Sequence, residues 1–182
     1  MVSGGAKGVD ETAMSSALDN NNTTIGILAG DLLKSSSSTL WRAHLRNGKL
    51  ALLSINEPDA RFSPAAAMIR NKFIYLLSQA CIVVRSDEKG GTWSGATDDL
   101  KRGWAPLLVS AHKKPNYAGN SKLLEGIKGQ KIQAHELSTD TVSSLINDTI
   151  TTSSEQKQTV HVSEKSPSSG ADSEQLGLGF DD

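Results

Sequence analysis

The sequence contains a single cysteine, Cys81, among its 182 residues, so no disulfide can form within the chain. Cys81 lies in the apolar run 80–84, and this position predicts an inert buried residue. The four histidines are scattered, without the spacing of metal ligands. Neither a catalytic triad nor a pair of catalytic carboxylates can be assembled from the sequence. The sequence therefore indicates no metal site, no cofactor and no set of catalytic residues.

Long hydrophobic runs are lacking as well. No stretch approaches the roughly 20 apolar residues of a membrane-spanning helix, and the first residues lack the basic and then apolar pattern of a signal peptide. We therefore expect a cytoplasmic protein that has no membrane partner. Aromatic residues are also scarce, and the three tryptophans are expected to pack in or beside the core. Trp93, between glycine turns, is the one that could stack on a base.

The chain has almost no net charge, -1 at pH 7, but this value conceals an asymmetry. Residues 1–135 carry 17 Lys and Arg against 11 Asp and Glu, whereas residues 136–182 carry 2 against 9. A basic body suits a polyanionic partner, and an acidic tail can compete for the same surface. An ordinary lysine-rich surface followed by an ordinary acidic tail explains the same numbers, so charge leaves both interpretations open.

Short apolar runs alternate with stretches of helical character. Buried strands are predicted at 24–29, 50–55, 80–85 and 106–110. Helices are predicted at 10–19, 64–77 and 95–102. This alternation is typical of an α/β fold with a parallel sheet and helices on both of its faces.

The end of the chain has a different composition. From Ser138 onward serine, threonine, aspartate and glutamate dominate, and no hydrophobic period persists. Such a segment cannot offset the entropy of ordering by burying apolar surface. We expect one domain over residues 1–135 and a disordered acidic tail over residues 136–182.

A glycine-rich turn opens the chain and leads into the first predicted helix. Gly4, Gly5 and Gly8 allow positive φ and a close approach to an anion, and a helix amino terminus follows them. Ser3 and Lys7 complete a loop of the kind that binds phosphate. Only two residues precede the loop, where a full buried strand is usual.

Two further polar clusters are expected near the same edge of the sheet. Arg70, Asn71 and Lys72 lie in the helix predicted at 64–77, and Arg70 offers a fork of donors suited to phosphate. The second cluster follows the strand predicted at 80–85, and its candidate anion-binding residues are Gly90, Gly91 and Thr92. Helix capping and turn geometry explain the second cluster equally well.

Taken together, five segments in this order resemble the DprA/Smf family of DNA-processing proteins. The segments are Ser3-Gly-Gly-Ala-Lys-Gly-Val-Asp10, Thr24-Ile-Gly-Ile-Leu28, Arg70-Asn-Lys-Phe-Ile74, Cys81-Ile-Val-Val84 with Gly91-Thr92, and Gly119-Asn120 with Leu123-Leu124. The resemblance implies an extended Rossmann-like fold and a non-catalytic protein that binds single-stranded DNA. It further implies loading of a RecA-type recombinase during DNA-mediated transformation. The residues that it places around the DNA phosphate are Ser3, Gly4, Gly5, Lys7, Arg70, Asn71 and Lys72.

The sequence departs from the family pattern in several places. The first strand and helix of the family have no counterpart, so the sheet is expected to lack its first strand and the chain to be truncated at its amino-terminal end. The usual Arg-Asn-Arg is Arg70-Asn71-Lys72, which keeps the charge and loses one bidentate donor. No winged-helix module follows the core.

Two alternatives remain open, a nucleotide-binding sensor and an enzyme related to nucleotide phosphoribohydrolases. The enzyme family has a glutamate three positions after the threonine of its glycine motif, and Gly95 stands there in this chain. Asp98 is the one candidate to replace that carboxylate.

The tail contains one more recognisable segment. Gln175, Leu176, Leu178 and Phe180 form a pattern similar to the motif by which bacterial replication and repair proteins bind the sliding clamp. Chance explains such a short match as well, so the sequence leaves both explanations open.

Overall fold

The computed structural model describes residues 1–111 and 117–145. In chain order its elements are β1 (Val2–Ser3), α1 (Val9–Asp19), β2 (Thr24–Leu28), α2 (Leu32–Ser37), α3 (Thr39–Arg46), β3 (Leu50–Ser54), α4 (Pro64–Leu76), β4 (Cys81–Val83), α5 (Gly91–Arg102), β5 (Leu107–Val109), α6 (Ala118–Glu125) and β6 (Ala134–Glu136). Residues 139–145 are also helical. The predicted α/β architecture is confirmed.

The strands form two sheets rather than one. The first has the order β1-β2-β3 and the second the order β4-β5-β6, and every pairing in both is parallel. Within the described residues β1 and β4 are not hydrogen-bonded to each other, so each is an edge of its sheet. The architecture is therefore a parallel sheet in two halves.

Each half-sheet has its own hydrophobic core. Under the first, Met14 and Leu18 of α1 pack with Trp41 of α3 and Leu50 of β3. The second core is larger and includes Cys81, which is buried as predicted. Helix α4 reaches both halves, because its Tyr75 packs in the second core while its Arg70 bonds to the first sheet.

Several boundaries differ from the sequence prediction. Helix α5 begins at Gly91 and not at Gly95, since the N–H of Ser94 already donates to the carbonyl of Gly90 at 3.0 Å. Glycine and threonine at its start weakened the helical signal there. Helices α2, α3 and α6 and strands β1 and β6 were not predicted, because each is short, with at most eight residues.

The folded part of the chain also extends further than predicted. The boundary expected after His135 falls inside β6, and the helical residues 139–145 lie in the stretch that composition assigned to the disordered tail. Local hydrogen bonds support this helix, since the N–H of Thr141 donates to the Ser138 hydroxyl at 3.2 Å. Such capping is a positional effect that average composition does not reveal. The proposed clamp motif at residues 175–180 lies outside the described residues.

Candidate nucleic-acid interface

The glycine loop lies between β1 and α1, at the carboxyl end of β1. Gly5 has φ 64° and Gly8 has φ 102°, conformations that side chains disfavour. Helix α1 starts directly afterwards, with the N–H of Thr12 donating to the carbonyl of Gly8 at 2.9 Å. Lys7 is exposed at the outside of the loop. The amino terminus of α1 and the exposed Lys7 therefore belong to the same loop.

An acidic side chain of the same loop already occupies part of its donor set. The Asp10 carboxylate accepts hydrogen bonds from the N–H of Gly4 at 3.1 Å and from the N–H of Ala6 at 3.5 Å. Sequence reasoning missed this role, although an acidic residue in the first turn of a helix is a common signal for such a contact. Asp10 thus places a negative charge inside the predicted phosphate loop.

Arg70 lies beneath the loop and not on the surface. Its side chain is only 5% exposed, and its Nη1 donates to the carbonyl of Gly4 at 2.5 Å and to the carbonyl of Ile27. Burial lowers the pKa of the guanidinium, and the nearby Asp10 carboxylate opposes that shift. A Cβ atom at Gly4 would lie 2.7 Å from the Arg70 Cζ, so glycine is needed there for this contact. Arg70 joins β1, β2 and α4 at one point.

A cleft of about 450 Å³ brings some of the predicted residues together. Ser3 and Gly4 line it from the first half of the molecule, and Asn71 and Thr92 from α4 and α5. The Asn71 Nδ2 donates to the carbonyl of Gly91 at 3.3 Å, which ties α4 to the start of α5. Ser3 and Gly4 are buried, whereas Thr92 is exposed.

Other predicted residues lie at the margin of this cleft or away from it. Gly90, with φ 92°, forms the exposed turn before α5. Lys72 is exposed and lines a separate pocket of about 330 Å³ that also contains Asp98. Of the candidate residues, the cleft therefore brings together Ser3, Gly4, Asn71 and Thr92, whereas Gly5, Lys7 and Gly8 belong to the glycine loop outside its lining.

The second half-sheet has a polar centre of its own, at Asn120. The Asn120 Nδ2 donates to the carbonyls of Val84 at 3.0 Å and Ser110 at 2.8 Å, and its Oδ1 accepts from the N–H of Ser86 at 2.7 Å. Gly119 before it leaves no room for a side chain against the backbone of Asp87. Asn120 therefore fixes the turns after β4 and β5.

Within residues 1–111 and 117–145, no three side chains among His, Cys, Asp and Glu are grouped so that they could hold a metal ion. In the same part of the chain, no helix is long and apolar enough to cross a membrane.

Comparison with known proteins identifies the family. The family model described as DNA recombination-mediator protein A matches residues 1–141. No curated protein matches.

Two solved structures are similar to this chain. One comes from a study of the unique single-stranded DNA binding mode of DNA processing protein A from Helicobacter pylori; it is 28% identical, with a TM-score of 0.63, and the match covers 81% of this chain and 66% of that one. The other is DNA processing protein A from Streptococcus pneumoniae, at 21% identity and a TM-score of 0.59, covering 75% of this chain and 47% of that one. The chain thus spans about two thirds of the first structure's length and about half of the second's. The predicted resemblance is confirmed, and the chain belongs to the DNA recombination-mediator protein A family.

Proposed function

We propose that this chain is a DNA-processing protein that binds single-stranded DNA through its phosphates, without catalysing a reaction. The observation that carries the proposal is the position of two helix amino termini, those of α1 and α5, on either side of one cleft. Each follows a glycine with positive φ, Gly8 or Gly90. Helix amino termini attract anions, and a phosphate chain presents anions at regular intervals.

The surrounding charges support the same partner. Lys7 and Lys89 are exposed beside the two helix starts, and Lys72 is exposed on α4. We assign the direct phosphate contacts to Lys7, Lys72 and Thr92 together with the backbone of the two glycine turns. Contacts of this kind carry affinity and little sequence information.

Arg70 has a different part in the proposal. Its Nη1 already donates to two carbonyl oxygens, so it positions the glycine loop and adds positive potential from below. Gly4 and Gly5 shape the loop around it, and Ser3 and Asn71 line the cleft. Arg70 therefore supports phosphate binding by positioning the loop, whereas the exposed lysines contact the phosphate directly.

Membership in the family and the similarity to the H. pylori structure add support from outside the site. On the same ground we propose that the chain acts in recombination and DNA-mediated transformation, in the cytoplasm, by loading a RecA-type recombinase. Binding of the tail motif at residues 175–180 to a sliding clamp is a further proposal that rests on sequence alone.

The test is a fluorescence-anisotropy titration of the full chain with a labelled oligothymidine at several salt concentrations. For single strands each lost phosphate contact reduces the slope of log K against log salt by about 0.7. We expect Lys7→Ala to weaken binding by about threefold to tenfold and to reduce the slope by about that amount.

Lys101→Ala provides the matched control, because Lys101 is also exposed but lies in the last turn of α5. It stands about 15 Å along the helix from Gly91, at a rise of about 1.5 Å per residue. Equal losses in Lys7→Ala and Lys101→Ala would mean that binding follows overall charge and not this site.

The enzyme alternative has a direct test as well. Asp98 lies in the pocket that also contains Lys72 and Asn71. Nucleotide hydrolysis by the full chain that Asp98→Ala abolishes would replace the non-catalytic proposal.

A further inference from the structure

The sheet of the first half ends at strand β3. In the order β1-β2-β3 this strand is hydrogen-bonded to β2, and within the described residues it pairs with no other strand. An edge strand presents a row of N–H and C=O groups with which another strand can pair. Natural sheets commonly protect such an edge with a charged side chain, a proline or a very short strand.

Strand β3 has none of these protective features. Its five residues, Leu50–Ser54, have the sequence LALLS, without a charge or a proline. Strand β6, the outer edge of the other half-sheet, has only three residues, and His135 and Glu136 in it are exposed. Of these two outer edges, β3 is therefore the one that is suited to pairing.

The main chain of β3 shows which of its groups face outward. The N–H of Thr24 in β2 donates to the carbonyl of Lys49 at 2.9 Å, so that carbonyl points toward β2. Backbone groups alternate in direction along a strand. The N–H and C=O groups of Leu50, Leu52 and Ser54 therefore point away from β2, at the open edge.

The side chains of β3 divide between two environments. Leu50 and Leu52 pack in the core of the first half. Successive side chains point to opposite faces of a strand, so Ala51 and Leu53 belong to the other face. Leu53 is 46% exposed, and Ile55, directly after the strand, is 45% exposed. An exposed apolar strip therefore accompanies the outward backbone groups.

Charged side chains of opposite sign flank the two ends of β3. Arg46 and Lys49 precede the strand, whereas Glu57 and Asp59 follow it, before Arg61. Arg46, Glu57 and Asp59 are exposed, and Lys49 is half-buried. Within the described residues none of the five takes part in an ion pair. The edge is thus positive before β3 and, on balance, negative after it.

The outward backbone groups are complementary to those of a second copy. When two β3 strands run antiparallel about a two-fold axis at Leu52, the two Leu52 residues exchange N–H···O=C bonds. Leu50 of each copy then exchanges the same bonds with Ser54 of the other copy. Every outward N–H and C=O group of the strand finds a partner in this register.

The side chains fit the same register. Ala51 of one copy lies opposite Leu53 of the other, so the two apolar strips become one. Lys49 of one copy comes close to Glu57 of the other, because antiparallel strands bring opposite ends together. A parallel arrangement would instead bring like charges together.

We propose that β3 pairs with β3 of a second copy of this chain, antiparallel and about a two-fold axis at Leu52, so that the two first half-sheets form one continuous sheet. The partner is a second copy because the backbone groups, the apolar strip and the end charges of this edge all complement themselves. Small interfaces bind weakly, so we expect the dimer to form at micromolar concentrations. This inference does not depend on DNA binding.

The experiment is analytical ultracentrifugation of the full chain, from micromolar to several hundred micromolar concentration. Leu53→Lys places a charge on each side of the two-fold axis, and we expect it to raise the dimer dissociation constant by about tenfold or more. Met68→Lys is the matched control, because Met68 is 54% exposed but lies on α4, in a pocket with residues of α5. It should change the constant little, and near-ultraviolet circular dichroism checks that both variants are folded.

An exchange of charges tests the register. Lys49→Glu and Glu57→Lys each replace an attraction between the copies with a repulsion, and each should weaken the dimer by about threefold or more. The double variant should regain the wild-type dissociation constant. The whole of β3, about 17 Å at a rise of about 3.3 Å per residue, separates the two positions, so this recovery reports a contact between copies.

Amide hydrogen exchange followed by NMR identifies the edge that pairs. We expect the N–H groups of Leu52 and Ser54 to exchange about tenfold or more slowly in the dimer than in the monomer. The N–H groups of Ala51 and Leu53 face β2 in both states and should change little.

Four results would overturn the proposal. A full chain that stays monomeric at every concentration forms no such sheet. Equal weakening by Leu53→Lys and Met68→Lys would place the interface elsewhere. Slow exchange at Leu52 and Ser54 in the monomer would mean that another segment of the chain covers the edge. A double charge variant that stays as weak as the single variants would exclude the antiparallel register.

Discussion

Each half of the molecule has one buried polar side chain that joins the carboxyl ends of neighbouring strands. In the half formed by β1 to β3 it is Arg70, which bonds to the carbonyls of Gly4 and Ile27. In the half formed by β4 to β6 it is Asn120, which bonds to three backbone groups. The two side chains hold comparable turns, yet one is charged and the other is neutral.

The difference separates a structural role from an electrostatic one. The amide of Asn120 donates both of its N–H groups to backbone carbonyls and accepts one N–H at its oxygen, so it has no donor left to attract an anion. Arg70 has a buried Nε without a partner among the described residues, and it shares its surroundings with the Asp10 carboxylate. A buried cation costs desolvation energy that a neutral amide avoids. The first half accepts that cost and gains a positive charge beneath the glycine loop.

The largest expected effect is a loss of stability when Asn120, the neutral side chain of the two, is replaced. Asn120→Ala leaves the N–H of Ser86 and the carbonyls of Val84 and Ser110 unpaired, and each buried unpaired group costs about 1–3 kcal/mol. We expect the free energy of unfolding in urea to fall by about 4 kcal/mol. Ser121→Ala, at an exposed position of the same helix, is the control and should change it by less than about 0.5 kcal/mol. A loss below about 1 kcal/mol for Asn120→Ala would mean that water replaces the amide.

The corresponding substitution of Arg70 should lower the free energy of unfolding less than Asn120→Ala does, but it should also weaken DNA binding. Arg70→Met unpairs two carbonyls but also removes a desolvated charge, so we expect a loss of about 2 kcal/mol in urea denaturation. Affinity for single-stranded DNA should fall at the same time, because the loop loses both its anchor and its positive charge. Arg70→Lys keeps the charge and should recover part of the affinity. If folded Arg70→Met binds DNA as tightly as the wild-type protein, the charge of Arg70 has no electrostatic role in binding.

Local signals predicted much of this fold. The apolar runs predicted at 24–29, 50–55, 80–85 and 106–110 each contain a strand, and Pro64 begins a helix as its fixed φ favours. The predicted glycine loop is present between β1 and α1, because Gly5 and Gly8 can adopt the positive φ values that few other residues adopt. These features depend on neighbouring residues only, and the sequence contains that information.

Long-range features could not be predicted in the same way. Charged residues are rarely buried, so the sequence suggested an exposed Arg70 in contact with phosphate, whereas its carbonyl partners lie 66 and 43 residues away along the chain. The division of the sheet into halves depends on which strands pair, and apolar runs do not specify pairing. The direct contacts of Ser3, Lys7, Asn71, Lys72 and Thr92 with DNA remain predictions.

A buried carboxylate makes the stability of the half formed by β4 to β6 depend on pH. Asp99 is fully buried; its Oδ1 accepts from the N–H of Ala105 at 3.0 Å, and its Oδ2 has no partner in the described part of the chain. Burial raises the pKa of Asp99 to about 6, and hydrogen bonds from the backbone of Ala105 and Trp104 oppose the shift. Between the unfolded value of 3.8 and about 6 the folded state therefore binds more protons than the unfolded state.

It follows that protonation of Asp99 stabilises the fold. This contribution is fully present below pH 3.8 and is lost as the pH rises through about 6. We expect the wild-type protein to lose on the order of 2 kcal/mol more than Asp99→Asn between pH 4.5 and pH 7, measured by urea denaturation at each pH. Asparagine keeps the acceptor for the Ala105 N–H and cannot titrate. Parallel pH profiles for the two proteins would show that Asp99 is solvated in the folded state.

The smallest effect concerns the carboxylate that faces Arg70. Asp10→Asn keeps an oxygen that can accept from Gly4 and Ala6, so the loop should retain its shape, but it removes a negative charge from the proposed phosphate site. We expect affinity for single-stranded DNA to rise by about threefold to fivefold at low salt, or about 1 kcal/mol, and the gain to shrink as salt screens the charge. Glu11→Gln removes the same charge from the next residue, whose side chain makes no hydrogen bond to the loop within the described part of the chain, and should raise affinity less. If Asp10→Asn and Glu11→Gln raise the affinity for DNA equally, Asp10 acts only through the net charge of the protein. In that case Arg70 and Asp10 do not set the affinity of a local anion site.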